Sequence, residues 1–560
     1  MNIKSIFTLL WAIFMFVNSS ITAYLPWFVP DALSEQELRE VLYDYDFEIK
    51  PIAEEIVVVN GLSKDERSAI QCLQGLVSRT EASMFMKFWG PEDELEDLKA
   101  AGYTLLYADE NGKAWDLTSL IERYRSHITD NGYVLFSDAE TPAQINLAFN
   151  YATVNGWLAV PVSAEEKAIA AGLEKKLDLS TTVLDFTHEL DFYDEYKDFF
   201  RKDCLVHLYA MASGLRDFAV QQNIFITYVE DEDYVARAYR DKLFGDLEPA
   251  SMILGWCQYE VKFTECVSRF GHYVIPSDHS FNMSILNSHR VETGKLGAEN
   301  VTAPTLDPDK HYVAIVYSDG DNAQWISNGY KEFHTWQSYD IDTPITWTFA
   351  PQMYKFSSSS VKKALENKAP EDSFITGPSG AGYARISKMS AREVQSYADL
   401  TAATMLETGL TTMTLLDKLE KEPDFISFAN KLSYFARYDH IRGGIVQVDP
   451  DRYAGGAGRV FFANGKPFVT VGFSLWVPGD ATMSQEWLDA QAAIVNSYPA
   501  DIGSINGYTV INVHPWSVST ENLAYFVSQL DDDVEVLSAD ELLAAITENI
   551  PHKNAKPEMK

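Results

Sequence analysis

Short apolar runs alternate with amphipathic helical stretches along almost the whole chain, and this alternation restricts the fold more than any other feature. Within residues 51–200, the runs "EEIVVVN", "ASMFMKFW" and "GYVLFSD" are strand candidates, and "KDERSAIQCLQGLVSR" has helical periodicity. Repeated β-α units are typical of a parallel sheet covered by helices. The sequence therefore predicts an α/β protein in which residues 51–200 form an N-terminal doubly wound parallel α/β domain.

The alternation continues from Cys204 onward, with strand candidates such as "SMILGW", "YVAIVYS", "SFITG" and "TVINVH". A chain of 560 residues is too long for one ordinary core, and repeated strand–helix units favour a (β/α) barrel. We expect a larger C-terminal (β/α) barrel-like catalytic domain over residues 204–550, joined to the first domain by a helix at 188–203. An open doubly wound sheet is the alternative. The polar tail at 551–560 is expected to be disordered.

The first residues have the parts of a secretory signal peptide. Lys4 supplies the positive charge, residues 6–17 form an apolar run, and small residues lead to an expected cleavage point near Ala23. The run is too short to span a bilayer comfortably. We therefore predict a signal peptide at 1–23, an N-terminal extension at 24–50, and a secreted or periplasmic protein. A non-cleaved anchor is the alternative.

The formal net charge is −36, from 45 Lys and Arg against 81 Asp and Glu. A surface this acidic repels nucleic acid and anionic lipid. We therefore expect no nucleic-acid partner, and no membrane partner once the signal segment is removed. Neutral ligands and metal ions remain open.

Two further features concern processing of the chain. Secretion permits a disulfide, for which Cys257 and Cys266 are the nearest pair, but we favour buried free thiols for all cysteines. N-glycosylation sequons occur at Asn282 and Asn300. The four cysteines are Cys72, Cys204, Cys257 and Cys266.

Polar side chains follow the strongly apolar strand candidate "HYVAIVYS", which runs into Asp319, Gly320, Asp321 and Asn322. In a parallel α/β fold, reactive side chains collect where strands end and loops begin. Asp319 and Asp321 are two residues apart, so in extended geometry both point the same way. A carboxylate pair can act as acid and base in glycosidic cleavage or hold a hard cation. A simple polar turn is the alternative.

Other strand candidates end in the same way. "MILGWCQYE" ends at Glu260, "YVIPSDHSFN" delivers Asp278, His279 and Asn282, and "TVINVHPW" delivers His514. If these strand ends converge on one barrel mouth, Glu260, Asp278, Asp319, Asp321 and His514 meet there. A structural hydrogen bond is the alternative role for a single histidine.

Aromatic residues lie beside these positions in the sequence, and their flat faces can stack on sugar rings. Ordinary core packing is the alternative for each of them. The residues are Trp256, Trp325, Trp347, Tyr354 and Trp516.

Several common catalytic signatures are absent from the sequence. It contains neither a G-x-G-x-x-G nor a P-loop motif, and it has no H-E-x-x-H. The loop "ITGPSGAGYARISK" is rich in glycine, which permits a positive φ angle or close backbone approach. It does not form the G-x-S-x-G elbow, so we do not interpret Ser379 as a nucleophile.

Several of these segments together resemble the GxGYxYP family, whose members are described as glycoside hydrolases. They are "AIQCLQGLVSR", "ILGWCQYE", "PSDHSFNMS", "SDGDNAQW", "GAGYARI" and "INVHPW". The resemblance implies a secreted, sugar-processing protein with an N-terminal α/β domain and a larger C-terminal domain. Gly380, Gly382 and Tyr383 match the naming motif, whereas Arg385 and Ile386 stand where the family has Tyr-Pro.

The leading hypothesis is a secreted glycosidase that cleaves a neutral or basic polysaccharide or oligosaccharide without a cofactor. Glu260 or Asp319 would protonate the leaving oxygen, and Asp321 would act as nucleophile or base. The acid needs its pKa raised by an apolar, partly dry pocket. The expected substrate-binding residues are Asn322, Asp278, Asn282, Trp256, Trp325, Gly380, Gly382, Tyr383, Arg385, His514 and Trp516.

Two alternatives belong to other functional classes. One is a metal-dependent carbohydrate esterase or deacetylase, in which Asp319, Asp321 and His514 hold one divalent ion that activates water. The other is a noncatalytic carbohydrate-binding protein, which the altered motif at Arg385 and Ile386 favours.

Overall fold

The computed structural model describes most of the chain from residue 29 onward. The predicted signal peptide, Asp321, Trp325 and the sequon at Asn300 lie outside the described residues. The described ranges are 29–43, 46–87, 93–138, 141–210, 214–230, 234–297, 301–320, 322–324, 326, 341, 343–477, 483–552 and 558–559.

Two small parallel sheets make up the N-terminal region. In each sheet the strand that comes first in the chain lies in the centre, in the orders β2-β1-β3 and β5-β4-β6. The predicted parallel α/β architecture is present, but as two three-stranded sheets rather than one. The strands are β1 (Ile52–Val59), β2 (Ala82–Met86), β3 (Thr104–Leu106), β4 (Gly132–Phe136), β5 (Leu158–Pro161) and β6 (Glu174–Asp178).

Helix α2 holds these two sheets together. It starts at a capping box in which Ser63 and Glu66 exchange hydrogen bonds. Its buried face packs against both β2 and β5, and the backbone N–H of Ala159 donates to the Cys72 sulfur at 3.3 Å. The helices of this region are α1 (Glu35–Tyr43), α2 (Lys64–Val77), α3 (Asp93–Ala100), α4 (Leu117–Tyr124), α5 (Pro142–Asn155), α6 (Glu165–Ala170) and α7 (Phe186–Tyr196).

The middle region contains a third parallel sheet, with strand order β10-β9-β7-β8. The predicted connecting helix at 188–203 corresponds to α7, which ends at Tyr196 before β7 begins. The elements are β7 (Cys204–His207), α8 (Arg216–Gln222), β8 (Ile226–Thr227), α9 (Tyr234–Gly245), β9 (Met252–Gly255), α10 (Glu260–Ser268), β10 (Tyr273–Ile275) and α11 (Met283–Leu286).

Two larger sheets form the C-terminal region, in the orders β13-β12-β11-β19-β18 and β14-β15-β17-β16-β21, and β20 also pairs with β11. All pairings are parallel except those of β16 with β17 and β21. The strands are β11 (His311–Tyr317), β12 (Ile345–Phe349), β13 (Ser373–Thr376), β14 (Thr412–Lys418), β15 (Gly443–Asp449), β16 (Val460–Ala463), β17 (Lys466–Thr470), β18 (Phe473–Leu475), β19 (Tyr508–Val513), β20 (Val534–Leu537) and β21 (Glu558–Met559).

The helices of the C-terminal region lie between these strands along the chain. Helix α19 packs against β11 and β17, and the N–H of its first residue, Ala539, donates to Thr346 Oγ1 at 2.9 Å. The helices are α12 (Asn322–Gln324), α13 (Met353–Phe356), α14 (Ser358–Asn367), α15 (Ala391–Thr408), α16 (Glu422–Ala436), α17 (Gln485–Asn496), α18 (Thr520–Ser528) and α19 (Ala539–Asn549).

The two C-terminal sheets share one edge but do not close into the predicted barrel. At the shared edge, the N–H of Val471 donates to β15 and the N–H of the next residue, Gly472, donates to β19. At the opposite edge, the N–H of Thr414 in β14 donates to the side-chain oxygen of Thr376 at 3.1 Å. Because side-chain oxygens there take the role of strand carbonyls, the described strands form no ladder between β13 and β14, and the barrel is not confirmed.

The cysteines and the helices bear on two further expectations. All four cysteines are buried and none forms a disulfide, as we favoured from the sequence. Among the described residues, no helix combines the length and apolar character that a membrane span requires. At the predicted disordered tail, Glu558 and Met559 form the short strand β21 beside β16.

Candidate functional site

A cavity of about 790 Å³ lies where the middle and C-terminal regions meet. It brings together six of the residues selected from the sequence, namely Trp256, Glu260, Asp278, Asp319, His514 and Trp516. Its other lining residues are Tyr209, Tyr228, Cys257, Gln258, His279, Gln324, Tyr453 and Trp476.

Asp319 enters this cavity because it follows the fully buried strand β11. Its Oδ1 accepts a hydrogen bond from the N–H of Gly320 at 2.6 Å and one from the hydroxyl of Tyr453 at 3.3 Å. Burial nevertheless raises the pKa of Asp319 to about 6, because these neutral donors only partly offset the loss of water. Asp319 is therefore protonated in a substantial fraction of molecules under mildly acidic conditions.

His514 reaches the same cavity from the neighbouring strand. β19 pairs with β11 in the register Tyr317–Val513, so the residues that follow both strands emerge side by side. His514 Nε2 lies 3.6 Å from Asp319 Oδ2, and the imidazole stacks on Trp476 with ring centroids 3.7 Å apart. Burial lowers the pKa of His514 to about 3, so the ring is neutral and its contact with Asp319 is not an ion pair.

Glu260 is the first residue of α10 rather than the last residue of a strand. Glu230 Oε1 accepts hydrogen bonds from the N–H groups of Gln258 and Tyr259, which fixes the turn before the helix. The hydroxyl of Tyr383 donates to Glu260 Oε1 at 2.7 Å. Burial raises the pKa of Glu260, the Tyr383 hydrogen bond opposes this, and the charge of Asp319 adds to the increase.

Asp278 provides a third carboxylate in the cavity. It is only 2% exposed, and its Oδ1 has no hydrogen-bond partner among the described residues. The other oxygen lies 3.6 Å from His279 Nε2. Burial raises the pKa of Asp278. A buried acceptor of this kind is suited to a ligand hydroxyl or amine.

Tyr453 was not selected from the sequence, although its hydroxyl contacts Asp319. It lies in a loop after β15 in which Asp451, Arg452 and Tyr453 have φ angles of 71°, 51° and 74°. A positive φ is rare for residues other than glycine and costs energy, so such conformations concentrate at functional sites. The expectation that reactive side chains follow strand ends (the strand-end rule) would have indicated this loop if it had been extended a few residues beyond "GGIVQVD".

The glycine-rich loop of the naming motif lies behind the cavity wall, not on its surface. The backbones of Tyr383 and Val274 exchange hydrogen bonds of 2.8 Å, and a Cβ atom on Gly382 would come within 2.4 Å of the Tyr273 ring. Tyr383 and Arg385 are fully buried. Gly380, Gly382, Tyr383 and Arg385, all expected to bind substrate, therefore lie in a supporting layer.

Two predicted substrate-binding asparagines make internal contacts instead. Asn322 donates through Nδ2 to the backbone oxygen and the hydroxyl of Thr348 at 3.0 and 2.8 Å. Asn282 accepts from Gln74 Nε2 at 2.9 Å and from the N–H of Met86 at 2.7 Å. Because Asn282 is buried in these bonds, its sequon is inaccessible to glycosylation in the folded protein.

The alternative metal site includes a residue outside the described part of the chain. Asp319 and His514 are close together, but Asp321 is not described. Among the described residues, no group of three or more His, Cys, Asp or Glu side chains is arranged to hold a metal ion. The predicted nucleophile and stacking residue, Asp321 and Trp325, likewise have no described position.

Comparison with solved structures shows the fold of the chain. A crystal structure of a protein titled "a putative hydrolase" from Bacteroides thetaiotaomicron VPI-5482 is similar, with a TM-score of 0.78 and 23% sequence identity. The similarity covers 91% of this chain and 96% of that chain. The comparison with curated proteins found no match.

Comparison with protein-family models identifies the family. The model described as "GxGYxYP putative glycoside hydrolase C-terminal domain" matches residues 309–547, and the model described as "GxGYxYP third domain" matches residues 204–288. Together they match more than half of the chain and include the three described carboxylates that line the cavity. The chain belongs to the GxGYxYP family.

Proposed function

We propose that the protein is a glycoside hydrolase in which Asp319 is the general acid and Glu260 is the nucleophile or general base. The observation that carries this proposal is the pair of buried carboxylates on one cavity with different hydrogen-bond partners. Paired carboxylates with different proton affinities are what glycosidic cleavage requires.

The surroundings of Asp319 support its role as the acid. Its neighbours include the neutral groups Gly320 N–H, Tyr453, His514 and the Trp516 side chain, and burial raises its pKa to about 6. A protonated Asp319 would give its proton to the glycosidic oxygen while the bond to the anomeric carbon breaks. Water would supply the hydroxyl that ends on that carbon and the proton that restores the acid.

The surroundings of Glu260 support the opposite role. The Tyr383 hydroxyl donates to it, and Arg385 lies behind Tyr383, so both groups favour the ionised carboxylate. An ionised Glu260 would attack the anomeric carbon or take a proton from the attacking water.

The wall of the cavity supports a neutral or amine-bearing sugar as ligand. Six of its lining residues are Tyr or Trp, which stack on sugar rings. Among the described lining residues there is neither Lys nor Arg, whereas three are carboxylates. An anionic sugar would therefore be repelled, and Asp278 would accept a hydrogen bond from a hydroxyl or amine.

The test is a panel of neutral, amine-bearing and acidic oligosaccharides, assayed for new reducing ends. We expect turnover of one of the first two classes, and a loss of about 10²-fold or more in kcat for Glu260→Gln and Asp319→Asn. Glu265→Gln is the matched control, because Glu265 is on the same helix but outside the cavity and pairs with Lys388.

Three outcomes would contradict this proposal. A wild-type kcat in either Glu260→Gln or Asp319→Asn would contradict the paired-carboxylate mechanism. Release of an acyl group without new reducing ends, abolished by chelation, would favour a metal-dependent esterase or deacetylase. Sugar binding without any turnover would favour a noncatalytic role.

We also propose that the protein is secreted or periplasmic, on the basis of residues 1–23 alone. N-terminal sequencing of the protein expressed with its full N-terminus should find cleavage near Ala23. An intact N-terminus in a cytoplasmic fraction would refute this.

A further inference from the structure

Arg385 is a buried cation directly behind the cavity wall. Its side chain is fully buried, and its Nη2 lies 2.9 Å from Asp449 Oδ2. The same nitrogen donates to the hydroxyl of Tyr383 at 2.9 Å, and Nε donates to Thr264 Oγ1 at 2.8 Å. Three partners from three segments therefore fix the position of the guanidinium.

These contacts determine the direction of the hydrogen bonds that reach Glu260. A guanidinium has only donors, so the Tyr383 oxygen must accept from Arg385. The single hydroxyl proton of Tyr383 is then available to Glu260 Oε1, 2.7 Å away. Arg385 thus orients the Tyr383 proton toward the carboxylate.

The residues that follow Arg385 are held rigidly. The Lys431 ammonium donates to the carbonyls of Ile386, Ser387 and Met389 at 2.6 to 2.9 Å. Asp417 accepts from both the N–H and the hydroxyl of Ser387. Preorganisation of this kind limits how far a supporting side chain can move.

Charges of both signs act on Glu260 from the surrounding elements. Burial raises the pKa of Glu260, and the negative charges of Asp319 and Asp449 add to this. The Tyr383 hydrogen bond and the charge of Arg385 lower it. Among the described residues, Cys257, Tyr383 and Tyr453 are further titratable groups that interact with Glu260. Among the described neighbours that act on Glu260, Arg385 is the positively charged side chain.

We propose that Arg385 is a positioning residue that acts through Tyr383 to hold the Glu260 carboxylate oriented and ionised. The proposal deepens the proposed function, since it rests on Glu260 being the ionised partner of Asp319. It also gives a role to the arginine that stands where the naming motif has tyrosine. The cation is internal and paired with Asp449, so it would tune the carboxylate instead of contacting the sugar.

The test measures the protonation of Glu260 without any substrate. A water-soluble carbodiimide with an amine activates protonated carboxyl groups, and peptide mass spectrometry can follow the labelling of Glu260 across pH. In Arg385→Met we expect the midpoint of labelling to rise by roughly one pH unit, because an opposite charge has been removed. Arg385→Lys should lie nearer to wild type, and the exposed Arg392→Met is the matched control.

Asp449→Asn keeps the proposal testable if Arg385→Met does not fold. Removing Asp449 deletes a negative charge that favours protonation, so the midpoint should fall instead of rise. Unchanged midpoints in folded Arg385→Met or Asp449→Asn would overturn the proposal. Because labelling needs no turnover, this failure is distinguishable from failure of the proposed function, which the Glu260→Gln assay reports.

Discussion

At the scale of single residues, burial moves two neighbouring side chains toward their neutral forms. It raises the pKa of Asp319 to about 6 and lowers the pKa of His514 to about 3. Between about pH 3 and pH 6 the cavity therefore holds a neutral imidazole beside a carboxyl group that is mostly protonated. A general acid must carry its proton, so activity should fall as the pH rises through about 6.

In Tyr453→Phe, the pH at which activity falls (the alkaline limit of activity) should shift to a higher value. The hydroxyl of Tyr453 favours the ionised form of Asp319, so removing it raises the pKa of Asp319 further. The pH dependence of kcat/KM on a substrate from the panel is the measurement.

Tyr508→Phe is the matched control, because that buried hydroxyl donates to Ile502 away from the cavity. If the alkaline limit of activity in Tyr453→Phe equals that of wild type, or if it shifts equally in both variants, Asp319 is not the acid whose titration limits activity.

The strand-end rule found some residues of the cavity and missed others for physical reasons. Asp319 and His514 follow adjacent parallel strands, so a rule based on strand ends selects them together. Tyr453 lies four residues beyond the end of β15, in a loop whose exact course depends on tertiary packing. Trp476 directly follows β18, a strand that the sequence did not separate from β17, so the rule was not applied at its end. The rule also selected Asn282, because a polar residue after a strand looks the same whether it faces a cavity or another region.

At the scale of elements, the glycine-rich loop is shaped by packing against β10. Gly382 lies so close to Tyr273 and Ile275 that a methyl group would overlap both side chains. The hydroxyl of Tyr397 also donates to the Gly382 carbonyl at 2.6 Å, which ties the loop to α15. The packing of the loop therefore fixes the position of Tyr383 relative to Glu260.

Gly382→Ala should destabilise the protein by about 1–3 kcal/mol, the usual cost of overpacking a core. Urea unfolding would measure the change, and Gly503→Ala is the control, because the nearest atom to its added Cβ is 3.7 Å away. Equal stabilities of the two variants would show that the loop is loosely packed.

Strand prediction failed where polar residues interrupt an apolar run. β6, with the sequence "EKKLD", and β14, with "TMTLLDK", were not identified from the sequence, yet both pair along one edge. The lack of a ladder between the described strands β13 and β14 could not be predicted from the sequence either. It arises because the hydroxyl oxygens of Thr376 and Ser379, instead of backbone carbonyls, accept the hydrogen bonds from the N–H groups of β14. The alternation of parallel strands and helices could be predicted from the sequence, whereas whether the sheets close into a barrel could not.

At the scale of the whole molecule, several buried acids make folding depend on pH. Burial raises the pKa of Glu189 to about 8, although hydrogen bonds from neutral groups oppose the increase. One of these donors is the hydroxyl of Thr227, at 2.5 Å. A carboxyl group whose pKa is raised on folding stabilises the native state below its unfolded pKa. That contribution is lost as the pH rises toward the folded value.

The free energy of unfolding should therefore fall between about pH 5 and pH 8. A single fully buried group contributes about 1.4 kcal/mol per pH unit over that range. Thermal unfolding across this range should show a smaller fall for Glu189→Gln than for wild type.

The control is Glu195→Gln, which replaces an exposed residue on the same helix. In this variant the free energy of unfolding should fall with pH as it does in wild type. An identical pH dependence in wild type and Glu189→Gln would mean that Glu189 is not a source of it.

The bonds from Asn282 to Gln74 and Met86 have a practical consequence for dividing the gene. A fragment that begins at residue 204, where the first family match starts, would lose both partners of that amide. It would also lose Arg79, whose guanidinium donates to the Val220 carbonyl and the Asn223 side chain. A fragment cut there would expose apolar and polar surface that is buried in the whole chain. The same holds for residues 29–50, since Phe47 packs on Phe218 and the Pro30 carbonyl accepts from Arg437, so recombinant versions should retain the chain from residue 29 onward.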